Sequence, residues 1–158
     1  MLEQFFPEVT PTVGRQRLRQ VLMRLRNAAG DVVVRDGDIL QLVPAWVDER
    51  EFLAIGNRVR GATGTRAVQL AYAALGLRTG PLLPSDPYAA WAEEPRAQVR
   101  YRYLALLDLV ARDAAARNSH QEALTALEAA LEEDPDADQR RSARAEQVQA
   151  LDLDHIPR

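Results

Sequence analysis

All eight glycines of this 158-residue chain lie at or before Gly80, and this distribution constrains the fold more than any other feature. Glycine disfavours the interior of a helix, whereas alanine, leucine, glutamate and arginine, which dominate the remaining residues, favour it. The second half is therefore expected to be an array of helices. Its separators are proline and short polar clusters, namely Asp86-Pro87, Asn118-Ser119 and Asp134-Pro135.

Start and stop signals divide this half into individual helices. The expected helices cover residues 48–59, 66–77, 87–117, 120–133 and 137–151, with caps at Asp48, Thr65, Asp86 and Ser119. Pro95 is expected either to start a new segment or to kink the long one, because it cannot donate a hydrogen bond to the preceding turn. The last helix is polar nearly all round, which predicts that it is exposed, bound to a partner or frayed.

The first 44 residues follow a different pattern. Apolar residues recur at i, i+3, i+4 and i+7 and predict an amphipathic helix from Pro11 to Ala29, which Gly30 ends. The apolar residues of this stripe are Leu18, Val21, Leu22 and Leu25. Two apolar runs, 32–34 and 39–42, flank Asp36-Gly37 and predict a β-hairpin whose two central turn residues have positive φ. The chain is thus expected to be mainly α, with a boundary between residues 44 and 45.

The charge of the first predicted helix differs from that of the rest of the chain. All 20 basic residues are arginine, and five of them lie between Pro11 and Gly30, where there is no acidic residue. Because the formal net charge is −3, the remaining residues together carry −8. A basic segment on an otherwise acidic chain indicates an anionic partner that one surface contacts. The alternative, arginines that serve only as solvated helix formers, stays open.

A helical wheel places amide side chains opposite the apolar stripe, with arginines on both flanks. Amides can form bidentate hydrogen bonds with adenine, while arginines hold phosphates or reach guanine. Arg35 is expected at the tip of the hairpin, where it would meet the DNA backbone or minor groove. The candidate DNA-binding residues are Gln16, Arg17, Arg19, Gln20, Arg24, Arg26, Asn27 and Arg35.

Composition argues against catalysis. The chain has no cysteine, which excludes disulfides, thiolate metal sites and cysteine nucleophiles, and it has no lysine for a phosphate-binding loop or a Schiff base. Its two histidines and three serines lie in no metal-ligand or nucleophile motif. We therefore expect a protein that is not an enzyme and that has no cofactor, metal or catalytic residue.

The sequence also predicts a cytoplasmic protein with no membrane partner. Its longest apolar stretches are interrupted early, as by Asp108, so none approaches the ~20 residues that cross a bilayer. Residues 1–8 lack the basic region and apolar stretch of a secretory signal.

Two parts of the chain resemble a family of bacterial regulators. Residues 18–26, followed by 30–34 and Asp36-Gly37, resemble the recognition helix and wing of winged-helix regulators of the antibiotic-regulatory-protein type. The helical half resembles the bacterial transcriptional activator domain that follows in that family, through Val47-Asp48, Phe52, 80–84, 86–88 and 91–94. It also carries a tetratricopeptide-like spacing of 0, 4, 7 and 12 at Ala123, Leu127, Ala130 and Pro135.

The resemblance implies a tetratricopeptide-like helical array over residues 45–158, preceded by a partial winged helix over residues 1–44. The winged helix is expected to be partial because Met1–Glu8 matches only the end of the family's first helix. The implied function is a transcriptional regulator, or a fragment of one, that binds DNA through helix 11–29 and the wing when its N-terminal scaffold is complete. Tyr88 and Trp91, at i and i+3, are expected to pack the loop 80–84 onto the helices.

The implied partners of the helical domain are other protein domains, the transcription machinery or a second copy in a homodimer. An alternative function stays open, that of a helical protein–protein interaction module without DNA binding of its own.

Overall fold

The computed structural model describes residues 6–37, 39–43 and 46–154. Within these residues the chain is mainly helical, with one small antiparallel hairpin, so the predicted mainly α class is confirmed. The chain divides into two compact units, Met1–Trp46 and Val47–Arg158. None of the described helices is long and apolar enough to cross a membrane.

The first unit contains helix α1 (Pro11–Ala29) and the hairpin strands β1 (Val33–Asp36) and β2 (Ile39–Leu42). Helix α1 has the predicted bounds. Pro11 occupies its first turn, where a missing N–H costs no helical hydrogen bond. At the other end Gly30 has φ 76°, and its N–H donates to the Arg26 carbonyl at 2.8 Å. The segment Met1–Glu8, matched above to the end of a first helix, falls partly outside the described residues, which begin at Phe6.

The predicted turn of the hairpin is wrong by one residue. Val33 lies opposite Leu42 and Asp36 lies opposite Ile39, so Asp36 belongs to a strand. The residues between the paired ends are Gly37 and Asp38, of which Asp38 lies outside the described residues. Gly37 has φ 57°, a conformation that glycine adopts without the Cβ penalty of other residues. The turn therefore uses glycine as its first central residue.

The second unit is helical. Its elements are α2 (Asp48–Arg60), α3 (Gly64–Leu75), a 3-10 turn (Ala90–Ala92), α4 (Glu93–Ala116), α5 (His120–Glu133) and α6 (Asp138–Asp154). The predicted caps of α2 and α3 are wrong, because Val47 and Thr63 occupy the cap positions. The Asp48 carboxylate instead accepts the Glu49 N–H at 2.8 Å from inside the first turn, where it also complements the helix dipole. Thr65 likewise lies inside its helix.

Helix α4 starts later than predicted. Asp86 caps no helix; its carbonyl accepts the Ala89 N–H at 3.1 Å in a turn, and the helix begins only at Glu93. Pro95 lies in the first helical turn, where the N–H that it lacks would have no acceptor within the helix. Of the two roles considered for Pro95, the structure shows the start of a segment and not a kink.

The core of the helical unit lies between α2, α3, α4 and α5. Ala123, Leu127 and Ala130 are at most 5% exposed, so three positions of the tetratricopeptide-like spacing form the buried side of α5. Small side chains at such positions let neighbouring helices approach closely. The core residues are Phe52, Ala71, Ala74, Val99, Leu106, Leu107, Val110, Ala111, Ala126, Leu127 and Ala130.

Arg117 joins the ends of three helices. Its guanidinium donates to Asp113 at 2.8 Å and to Glu122 at 2.9 Å, and the Tyr72 hydroxyl donates to the same Glu122 carboxylate. Burial, followed by the bond to Glu122, raises the pKa of Tyr72 to about 12. Ser119 lies at the predicted cap of α5, but its hydroxyl makes no cap bond and instead accepts from Arg117 at 3.1 Å.

Arg96 holds the loop that precedes α4. Its guanidinium donates to the carbonyls of Leu82 at 3.0 Å, Leu83 at 3.2 Å and Pro87 at 3.0 Å. The expectation that Tyr88 packs this loop is wrong, because Tyr88 is 96% exposed. A guanidinium offers five donors in one plane, so a single side chain can satisfy several carbonyls of an irregular loop.

Helix α6 packs against α5, yet none of its described residues is buried and most of them are exposed, as its polar sequence predicts. Arg140 forms two 2.9 Å bonds to the two carboxylate oxygens of Asp108 and a third 2.9 Å bond to Asp134. The bond to Asp108 raises the pKa of the Arg140 guanidinium. Only 18% of the Arg140 side chain is exposed, so a formally polar residue serves as the anchor of this helix.

Replacing Arg140 by alanine should lower the free energy of unfolding by about 1.5–3 kcal/mol, because Asp108 then loses two charge-assisted hydrogen bonds. The measurement is urea unfolding followed by circular dichroism. Arg141→Ala is the matched control, since Arg141 is 52% exposed and pairs with Asp136 and Asp138, whose side chains are almost fully exposed. The control should change stability by less than about 0.5 kcal/mol. Equal losses from the two variants would refute an anchoring role for Arg140.

Candidate nucleic-acid interface

The seven predicted contact residues of α1 are all exposed in the structure. Gln16, Gln20 and Asn27 fall within about 40° of one another around the helix axis, at 100° per residue. They therefore form one amide face along the helix. Met23, which is 57% exposed, shares this face. Amide groups in such a row can each donate and accept a hydrogen bond, which is the pattern that an adenine edge offers.

The arginines that flank this face differ in their contacts. Within the described part of the chain, Arg17, Arg19 and Arg24 form no ion pair or side-chain hydrogen bond. Arg26 pairs with Asp31 at 3.3 Å, but both side chains are more than half exposed, so water and salt screen this pair. An anion can therefore bind the arginines on either side of the amide face while few existing contacts are broken.

Arg35 does not lie at the hairpin tip, which corrects its predicted position. It pairs with Leu40 inside the ladder, and its Nε donates to the Gly37 carbonyl at 2.6 Å. This bond joins the side chain of a strand residue to the backbone of the turn. Arg35 thus holds the turn, and it remains exposed on the side of the hairpin that faces α1.

A groove of about 880 Å³ runs along α1 within the first unit. Its apolar part includes Phe6, Leu18, Leu22 and Leu40, all of which are half-buried. The other half of the predicted apolar stripe is more open, with Val21 51% exposed and Leu25 36% exposed. Gly14 is the only buried residue among those described in this unit. The unit therefore has an apolar groove in place of an enclosed core.

Arg15 was not among the predicted contact residues, yet it lines this groove. Three predicted arginines line it as well, namely Arg19, Arg26 and Arg35. The helical wheel of α1 gives the sequence signal that identifies Arg15 as a groove residue. It places Arg15 about 60° from Leu18 and thus beside the apolar stripe. The five arginines of α1 therefore serve two surfaces, with Arg17 and Arg24 on the side away from the groove.

No metal site is found in the part of the chain that the structure describes, where no three histidine or carboxylate side chains come together. His120 meets Gln147 at 2.8 Å through Nδ1, a contact that joins α5 to α6. His155 lies outside the described residues.

Comparisons with protein-family models, with curated proteins and with solved structures found no match to this chain.

Proposed function

We propose that this chain is a transcriptional regulator, or a fragment of one, that contacts DNA through the amide face of α1 and its flanking arginines. The observation that carries the proposal is that α1 exposes five arginines and three amides along 19 residues, with no acidic residue among them. The helical unit serves activation or assembly in this proposal.

The dimensions and chemistry of α1 support a role in the major groove. A helix is about 10–12 Å across with its side chains, which matches a major groove about 12 Å wide. Arg17 and Arg24 are available for phosphates on one flank of the amide face, while Gln16 and Gln20 meet base edges. Arg35 acts mainly by holding the turn of the hairpin, given its bond to Gly37.

The proposal includes a finer description of both units. The order of α1 and hairpin supports a recognition helix followed by a wing, as in a partial winged helix. The packed pair α4 and α5, with Ala123, Leu127 and Ala130 buried, supports a tetratricopeptide-like pair. Because the first unit encloses so few side chains, we expect DNA binding by this chain to be weak and to strengthen when the apolar groove is covered.

Duplex DNA should bind the chain with a strong salt dependence. If four arginines of α1 neutralise about four phosphates, a plot of the logarithm of the binding constant against the logarithm of the salt concentration should have a slope of about −3.6. Replacing Arg17 and Arg24 by alanine should make this slope shallower by about 1.8. The measurement is fluorescence anisotropy of a labelled duplex at low and increasing salt.

The control removes the same charge from the helical unit. Arg58 and Arg112 are both exposed there, and Arg58→Ala with Arg112→Ala should leave the slope unchanged. A salt-independent interaction, or equal changes from the two pairs of substitutions, would exclude α1 as the DNA-binding surface.

A second pair of variants distinguishes residues that contact base edges from residues that contact only phosphates. Gln20→Ala should reduce the preference for one DNA sequence over others by about 1–3 kcal/mol, whereas Arg24→Ala should weaken binding to all sequences alike.

A second candidate is a helical interaction module without DNA binding of its own. The specific observation in its favour is the set of exposed aromatic side chains on the helical unit, with Tyr88 96% and Tyr101 73% exposed. Exposed aromatics of this kind are enriched in protein interfaces. The double variant Arg17→Ala with Arg24→Ala distinguishes the two functions. If it loses DNA binding but keeps self-association and partner capture, the two functions are separate.

A further inference from the structure

The groove along α1 is a continuous feature of the helix and not a local hollow. Every turn of α1 from Pro11 to Asn27 contributes to its lining, a distance of about 24 Å at 1.5 Å per residue. The hairpin residue Leu40 and the preceding segment, including Phe6, form its other side. An occupant that uses the whole groove is therefore elongated.

The length excludes a compact ligand as the natural occupant. Arg15 and Arg26 are separated by eleven residues of helix, or about 16 Å, so one small molecule cannot contact both. A helix of about 16 residues spans the groove, and helices commonly bind in grooves by placing one apolar face against them. The half-buried Leu18, Leu22 and Leu40 offer such a face its contact surface.

Charge complementarity identifies the edges of the occupant. Four arginines line the groove, whereas the lining residues that the structure describes include no aspartate or glutamate. Carboxylates at the edges of a bound helix would therefore meet arginines along the groove. Duplex DNA fits this surface less well, because phosphates gain nothing from contact with an apolar floor.

We propose that the groove is a docking site for an amphipathic helix of a partner protein, with leucine-type residues on one face and carboxylates along its edges. The partner helix covers the apolar side chains that the first unit leaves half-buried or exposed. Arg15 and Arg19 pair with its carboxylates. The groove includes Arg19, Arg26, Asn27 and Arg35 of the candidate DNA-binding residues, whereas Arg17 and Arg24 lie on the other side of α1 and Arg15 belongs to the groove alone.

A pair of synthetic peptides of about 16 residues tests the proposal with the full chain. Both carry leucine at i, i+3, i+4 and i+7, and one has glutamate at the flanking positions where the other has lysine. In fluorescence anisotropy at low salt the glutamate peptide should bind about tenfold more tightly than the lysine peptide. A third peptide, with glutamates kept and leucines replaced by alanine, should lose most of the binding.

Variants of exposed arginines locate the site without disturbing the fold. Arg15→Ala with Arg19→Ala should weaken binding of the glutamate peptide about tenfold, whereas Arg17→Ala with Arg24→Ala should leave it within about twofold. Circular dichroism verifies that both double variants keep the helical content of the parent chain.

Equal affinity for the glutamate and lysine peptides, or equal losses from the two double variants, would overturn the proposal. Tight binding of the alanine peptide would overturn it as well, since the interaction would then be ionic only. If Arg15→Ala, which changes a residue outside the proposed DNA-binding set, weakens binding of duplex DNA as much as binding of the glutamate peptide, the groove belongs to DNA. Because Arg17 and Arg24 affect DNA but not the peptide, a failure here is distinct from a failure of the proposed DNA-binding function.

Discussion

Amide hydrogens of α1 should exchange with solvent about a thousandfold faster than those at the centres of α4 and α5. Gly14 is the only buried residue described in the first unit, whereas α4 has six buried residues and α5 has five. Local opening free energies range from about zero, where few contacts are buried, to the global stability of a core helix. A difference of about 4 kcal/mol corresponds to this thousandfold ratio.

Native-state hydrogen exchange with mass spectrometry measures the ratio, with residues 99–110 and 123–131 as the slow reference. Helices α1 and α4 are both long, at 19 and 24 residues, so length does not explain the expected contrast. Equally slow exchange in α1 and α4 would contradict this prediction. It would mean that α1 is protected by more than the few half-buried side chains of the first unit. Addition of the glutamate peptide should slow exchange in α1 and leave α4 unchanged.

Leu106→Ala should lower the free energy of unfolding of the helical unit by about 2–5 kcal/mol. Leu106 is 2% exposed and belongs to the core cluster of the helical unit. Its truncation removes buried apolar surface and leaves a cavity that the surrounding helices can only partly fill. Urea unfolding of the variant and the parent chain gives the difference directly.

Tyr101→Ala is the matched control on the same helix. Its side chain is larger than that of Leu106, but it is 73% exposed, so its removal should change stability by less than about 0.5 kcal/mol. A loss from Leu106→Ala no larger than that from Tyr101→Ala would mean that the core does not lie where α4 meets its neighbours.

Local signals predicted the elements that depend on local interactions. The bounds of α1 and α5 agree with the prediction, because apolar periodicity ran unbroken between a proline or serine start and a clear stop. The turn of the hairpin was displaced by one residue, since Asp36-Gly37 and Gly37-Asp38 are both acceptable turn pairs and strand register decides between them. The observed caps precede the predicted caps by one residue at Asp48 and by two at Thr65, a displacement within the usual variation of helix ends.

The candidate nucleic-acid interface also includes features that the sequence predicted and contacts that it did not. Exposure of the amide face follows from the wheel of α1 alone, and all seven of its predicted residues are exposed. The contacts of Arg35 and Arg15 did not follow from it. Arg35 turns back to the Gly37 carbonyl, and Arg15 lines a groove that exists only because the hairpin lies beside α1 in the same unit.

The sequence by itself determined the mainly helical class, the position of the hairpin and the concentration of arginine on α1, because these depend on backbone preferences and spacing within a few residues. Only the tertiary structure decided which polar side chains are anchors. Arg140 meets Asp108 across 32 positions, and Arg96 meets Leu82 across 14. Such pairings depend on how helices pack, and no local pattern distinguishes an arginine that will be half-buried and paired from one that stays in water.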